Sequence, residues 1–141
     1  KNLEKAKEWL YRASMSGIPE AKYELANLFA KGNAIDINLS DAINLMESAA
    51  YDGYVPAYYK TAVFYYNKRY YYGGIINSQD DFEKIYIWLS IAAKVDVTLS
   101  SNDDYIHLLN FIDGKVSVDR MVELNKIVNE HLVKFEYKIK E

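Results

Sequence analysis

The strongest constraint on this chain is that it repeats itself. From Ala21 to Gly53 two runs carry apolar residues at helical spacing. Ala21, Leu25, Leu28 and Phe29 share one face of the first run, and Leu39, Ala42, Ile43, Leu45, Met46, Ala49 and Ala50 cover a wider arc of the second. Gly32 and Gly53 follow the runs, where a helix end favours a residue that tolerates a left-handed backbone. A hairpin apolar on more than one side cannot bury itself with its own two helices and needs neighbours. The neighbours are in the sequence. Ala6, Leu10, Ala13 and Gly17 match Ala42, Met46, Ala49 and Gly53 36 positions later, and Ala21, Tyr23, Ala26 and Phe29 match Ala57, Tyr59, Ala62 and Tyr65 at the same step. A third second-helix copy, Phe82 to Ala93, follows its counterpart by 43 positions, so seven residues are inserted before it. A fixed period of this size marks helical hairpins stacked on one another, an all-α solenoid.

The 141 residues suffice for one compact domain, and half of them being apolar is ordinary for a globular chain. A net charge of −3 gives no clustered cationic footprint for nucleic acid. No apolar run reaches membrane-spanning length, and no signal-peptide pattern is visible. Absence of cysteine suits a reducing cytoplasm and equally permits an oxidising periplasm, so the compartment stays open. Lys1 already stands inside a second helix, which leaves a preceding helix or leader open as well.

Along the chain, Asn2 to Ser16 reads as the second helix of a partial hairpin, with Leu3, Ala6, Trp9, Leu10 and Ala13 facing inward. Pro19 and Pro56 sit at the starts of the first helices that follow. Seven of the fourteen tyrosines fall between Tyr58 and Tyr72, and the insertion from Arg69 to Ser78 is expected to form a loop. Asn102 to Asp104 opens a helix through Phe111, and Ser117 or Asp119 opens a last one to about Tyr137. Met121, Leu124, Ile127, Val128, Leu132 and Phe135 give that last helix an apolar face, as a helix sealing a solenoid end requires.

Small residues at these offsets resemble the Sel-one-like repeat, a relative of the tetratricopeptide repeat with a longer linker. Ala21, Leu25, Phe29, Gly32, Ile35, Asn38, Ala42, Leu45, Ala49, Ala50 and Gly53 fall on that family's unit without a gap. Lys5-Ala6, Trp9, Ala13 and Gly17 match its second half, as do Lys84, Trp88, Ala92 and Ala93. Departures are Ala26 and Ala62 for a first-helix glycine, Ala34 for a linker glycine and Leu45 for the tryptophan. The resemblance covers residues 2–96 and implies a right-handed α-α superhelix, with a partial repeat at 1–17, repeats at 18–53 and 54–96, and a capping helix pair in 97–141. It also implies an adaptor that binds another protein without catalysis. By analogy with the tetratricopeptide unit, Tyr23, Asn27 and Lys31, then Tyr59, Val63, Tyr66 and Asn67, line a concave face, with Tyr70, Tyr71 and Tyr72 as a clasp. Two alternatives stand beside it: a bacterial immunity protein that neutralises a secreted toxic effector, and a hydrolase of the kind ascribed to a few relatives.

The residues themselves supply little chemistry. There is no thiol, no serine in a G-x-S-x-G turn, and no lysine at phosphate-loop spacing from Gly73-Gly74. His107 and His131 lie 24 positions apart on separate helices and make no zinc motif, and no cofactor is expected. Asp36, Asn38, Ser40, Asn44 and Glu47 mimic a calcium loop, but Asp41 occupies the position where the turn demands glycine. Asp80-Asp81 and Asp103-Asp104 precede helices, where negative charge favours the N-terminal dipole.

Overall fold

A computed structural model describes residues 2–31, 39–71 and 77–140, and side chains for 4–31, 40–68 and 77–135. The described residues are all-α: α1 (Asn2–Met15), α2 (Pro19–Lys31), α3 (Leu39–Tyr51), α4 (Val55–Tyr71), α5 (Gln79–Val95), a 3₁₀ turn (Val97–Ser101), α6 (Asp103–Ile112) and α7 (Val118–Lys140), with no strand among them. The chain forms two compact units, Lys1–Thr61 and Ala62–Glu141, which divide within α4.

In the first unit the same helix-ending turn occurs twice, 36 residues apart. α1 ends on Gly17 at φ +85°, with Gly17 N–H donating to Ser14 and Ile18 N–H to Ala13. α3 ends on Gly53 at φ +88°, with Gly53 N–H donating to Ala50 and Tyr54 N–H to Ala49. Both are Schellman closures, in which a left-handed residue lets the chain turn back and satisfy the last carbonyls. The 36-residue step therefore carries a backbone motif as well as apolar spacing.

α2 packs most extensively on α3 and also on α1. Ala21, Leu25, Ala26, Ala42, Ile43, Met46, Ala49 and Ala50 are buried, joined by Ala57 and Tyr58 from the start of α4. The alanines leave room for helix backbones to approach, and Leu25, Ile43 and Met46 fill the remaining volume. Lys22 fastens α2 to α3, its Nζ donating to Ser48 Oγ at 2.9 Å and to Asp52 Oδ2 at 2.8 Å. The buried Thr61 hydroxyl donates to Ala57 O at 2.6 Å, so it costs no unsatisfied polar group.

α5 is the spine of the second unit, packing on α7, on the 3₁₀ turn and on α6. Ser78 caps it: Asp81 N–H donates to Ser78 Oγ and Ser78 N–H donates back to Asp81 Oδ2, each at 3.1 Å, a reciprocal capping box. Ile85, Trp88, Leu89, Ile91 and Ala92 are buried along it, against Leu108 and Ile112 of α6 and Leu124 and Val128 of α7 among others. Arg120 clamps Glu83 with two parallel bonds, Nε to Oε2 and Nη2 to Oε1, both 2.9 Å, tying α7 to α5. Asn102 caps α6 by accepting from Tyr105 N–H at 3.0 Å.

Three expectations change. Arg69, Tyr70 and Tyr71 belong to α4 rather than to a loop, because nothing before Gly73-Gly74 breaks the helix. Trp9 is 73% exposed and Ala6 exposed, so the inner face of α1 narrows to Ser14 with half-buried Lys7, Leu10 and Ala13. Ile127 is also exposed, at the margin of the apolar arc of α7.

Candidate functional site

The aromatic residues singled out in sequence fall into two groups, one in each unit. In the first, the Tyr23 ring meets Tyr54 edge-on at a centroid distance of 5.3 Å. Tyr23 and Asn27 are half-buried on successive turns of α2, and Lys31 is exposed at its end. Burial, followed by the nearby Glu20, Tyr23 and Glu24, raises the Tyr54 hydroxyl above its ordinary value. Tyr58 is buried within the start of α4, and desolvation pushes its hydroxyl up to about 12. Tyr59 is half-buried beside it.

Further along α4, in the second unit, Val63, Tyr66 and Asn67 are half-buried. The Tyr66 hydroxyl and His107 Nε2 are hydrogen-bonded at 3.2 Å, and the Tyr66 ring meets Phe111 edge-on at 4.6 Å. Tyr66 is therefore engaged by α6. Lys115 completes that cluster, its Nζ lying 4.6 Å from the Phe111 ring centroid while donating to Phe111 O at 2.8 Å. Tyr65 is core: it is buried, its carbonyl accepts from Asn77 Nδ2 at 2.9 Å, and Lys68 lies over its ring at 5.8 Å. The expected clasp lies outside what is described: Tyr70 and Tyr71 are placed only as the last turn of α4, and Tyr72 falls outside the described residues.

Of the groups weighed for chemistry, Asp81 and His131 have structural partners. Burial pushes the Asp81 carboxyl up, but the hydrogen bond and charge of Lys68, at 2.9 Å, with the bonds from Ser78 and Asn77, outweigh it and hold the carboxyl below its ordinary value. His131 stands edge-on to Trp88 at 5.6 Å and tilted to Phe135 at 4.7 Å, and burial, aided by the charge of Lys134, lowers its pKa. Residues 40–47 are helical, with Glu47 buried on α3, so that part of the calcium-like sequence is not loop; Asp36 and Asn38 fall outside the described residues. Among the described residues no three His, Asp or Glu side chains gather as a metal site would need, and no helix is long and apolar enough to cross a membrane.

The second unit also holds a cleft that the sequence reading did not single out. It has a volume of about 700 Å³ and lies among α5, α6 and α7, with Leu89, Ala93, Tyr105, Ile112 and Met121 on its walls and Leu109 at its margin. Tyr86 donates from its hydroxyl to Asn125 Oδ1 at 2.8 Å on the α5–α7 side. The visible signal was an excess: Val118 and Val122 make α7 apolar beyond the arc that its core contacts require. Comparison of the chain with models of known protein families, with curated proteins and with solved structures finds no match.

Proposed function

We propose that this chain is a non-catalytic scaffold for protein recognition, built as a right-handed superhelix of Sel-one-like hairpins and closed by α6 and α7. The repeated Schellman closure at Gly17 and Gly53 supports the repeat reading, since both the turn and the small residues before it recur at one step. The observation that carries the binding role is the partial exposure of aromatic side chains on the first helices of the hairpins. Tyr23, Tyr59 and Tyr66 each keep a surface to offer while the tyrosines beside α4's core positions, Tyr58 and Tyr65, are buried. Tyrosine is suited to this, because it brings large contact area with only two side-chain torsions to freeze.

In this reading a partner segment docks along the first-helix face, with Tyr23, Tyr59 and Tyr66 as anchors and Asn27, Lys31, Val63 and Asn67 around them. Tyr70, Tyr71 and Tyr72 close over it. The test is affinity capture with the wild-type chain and with Tyr23→Ala plus Tyr59→Ala, followed by mass spectrometry. Tyr66→Phe serves as the third variant, since it removes the hydroxyl and keeps the ring on Phe111. Loss of a reproducible wild-type partner from the double variant, with an unchanged circular dichroism melt, supports the groove; undiminished capture rejects it.

A further inference from the structure

We infer, on the repeat reading above, that the outward side of α1 is a docking site for an amphipathic helix of another protein, seated as α2 is seated on α3 and carrying a carboxylate where α2 carries Lys22. The side of α3 that meets α2 is marked by Ser48 and Asp52, which Lys22 reaches at 2.9 and 2.8 Å. Ala42, Leu45 and Ala49 stand on that side too, at helical steps of three and four, and both alanines are fully buried. Thirty-six positions earlier the same side of α1 holds Ala6, Trp9, Arg12, Ala13 and Ser16. Here Trp9 is 73% exposed, Ala6, Arg12 and Ser16 are exposed, and Ala13 is half-buried. α1 packs on α2, and its covered positions, Ser14 with half-buried Lys7, lie around the helix from Trp9. Among the described residues, the surface that α2 covers on α3 therefore recurs on α1 without a cover. Lys5, Glu8, Trp9 and Arg12 line a hollow of about 130 Å³ on it, room for a side chain from above.

The charge of the occupant follows from how the two sides differ. On α3 the polar positions are Asp41, Asn44, Ser48 and Asp52, acidic or neutral, and they receive the cation of Lys22. Their counterparts on α1 are Lys5, Glu8, Arg12 and Ser16, two cations against one carboxylate. Arg12 Nη2 donates to Glu8 Oε1 at 2.7 Å, which uses one of the five N–H donors of the guanidinium. A lysine placed as Lys22 is would face Arg12 and be repelled, whereas a carboxylate there pairs with the donors that remain. The chain's own first helices do not supply that group, since α2 has Lys22 at the place and α4 has Tyr58. A second copy is therefore the poorer fit. The helix that fits has alanine-sized residues against Ala6 and Ala13, an apolar side chain against Trp9 and an acid beside Arg12.

The experiment uses the full chain and two fluorescently labelled peptides that copy residues 18–32, one with the chain's own sequence and one with Lys22→Glu. Fluorescence anisotropy is expected to show saturable binding of the Lys22→Glu peptide, at least tenfold tighter than the other and weakened by salt. In the full chain Trp9→Ala, at an exposed position, is expected to cost that peptide at least tenfold in affinity, and Arg12→Glu to reverse the preference between the two. Tyr23→Ala plus Tyr59→Ala should leave all of this unchanged, and Trp9→Ala should leave capture by the tyrosine face unchanged, so failure here and failure of the tyrosine face are distinguishable. Equal binding of the two peptides, or wild-type behaviour of either Trp9→Ala or Arg12→Glu, overturns the inference. So does a dimer of the protein alone, seen by sedimentation, that Trp9→Ala dissociates, since the occupant would then be a second copy.

Discussion

Gly17 occupies a backbone conformation that side chains resist, yet an added Cβ would meet no atom within 4 Å. Its replacement therefore costs backbone strain and little else. Gly17→Ala is expected to destabilise the protein by about 1 kcal/mol, and Gly17→Asn by less, because asparagine visits the left-handed region more readily. Gly53→Ala should behave alike if the two turns are copies in energy as well as geometry; urea denaturation of the three variants measures it. Asp81 is a contrasting case, where one side chain serves three partners. Its carboxylate closes the capping box on Ser78 and receives Lys68 and Asn77, which places a buried charge where both oxygens are satisfied. Asp81→Asn keeps the shape but loses the ion pair.

At the scale of the helix, residues aligned by the apolar period differ in burial. In the proposed repeat, Trp9, Leu45 and Trp88 would fall at one position on α1, α3 and α5, and they are exposed, half-buried and fully buried respectively. Burial at each depends on what the rest of the fold lays over it. Trp88 is 1% exposed beneath His131, so Trp88→Ala is expected to cost about 3–5 kcal/mol. Trp9→Ala should stay within about 0.5 kcal/mol, as exposed substitutions usually do. Equal losses in guanidinium melts would show that Trp9 is covered in solution. The same reasoning explains what was legible in the sequence. The helices of the first unit followed from apolar period, glycine stops and the proline starts, all of them local signals. The end of α4 did not, because Lys68 to Tyr71 is polar and aromatic but contains no breaker. Nor did the commitment of Tyr66 to His107, 41 positions later, and Phe111, which depends on where α6 comes to rest. The cleft was hidden for that reason too, since its walls come from three helices.

On the scale of the whole chain, acid acts on stability through groups in the second unit. The lowered pKa of His131 means that the unfolded chain takes up its proton first as the solution acidifies. Stability is then complete above the ordinary histidine value, about 6.5, and falls as pH drops from there toward the folded value. Asp81 has the usual carboxylate sign: its contribution is full above an unfolded value of about 3.9 and disappears as pH falls through the folded one. Melting temperature measured against pH should therefore decline in two steps, the upper one removed by His131→Phe and the lower one reduced by Asp81→Asn, with the remainder left to Glu83, whose carboxyl Arg120 holds below its ordinary value. An upper step that survives His131→Phe would place the proton elsewhere. The division of the chain at Thr61 has a practical consequence as well, because its only two tryptophans stand on opposite sides of it. Trp9, open to water, should emit at the red end and yield to iodide quenching, whereas Trp88, shielded, should emit in the blue and resist it. Each half of the molecule thus carries its own optical reporter, and a single denaturation series read at two wavelengths will tell whether the halves give way together or in turn.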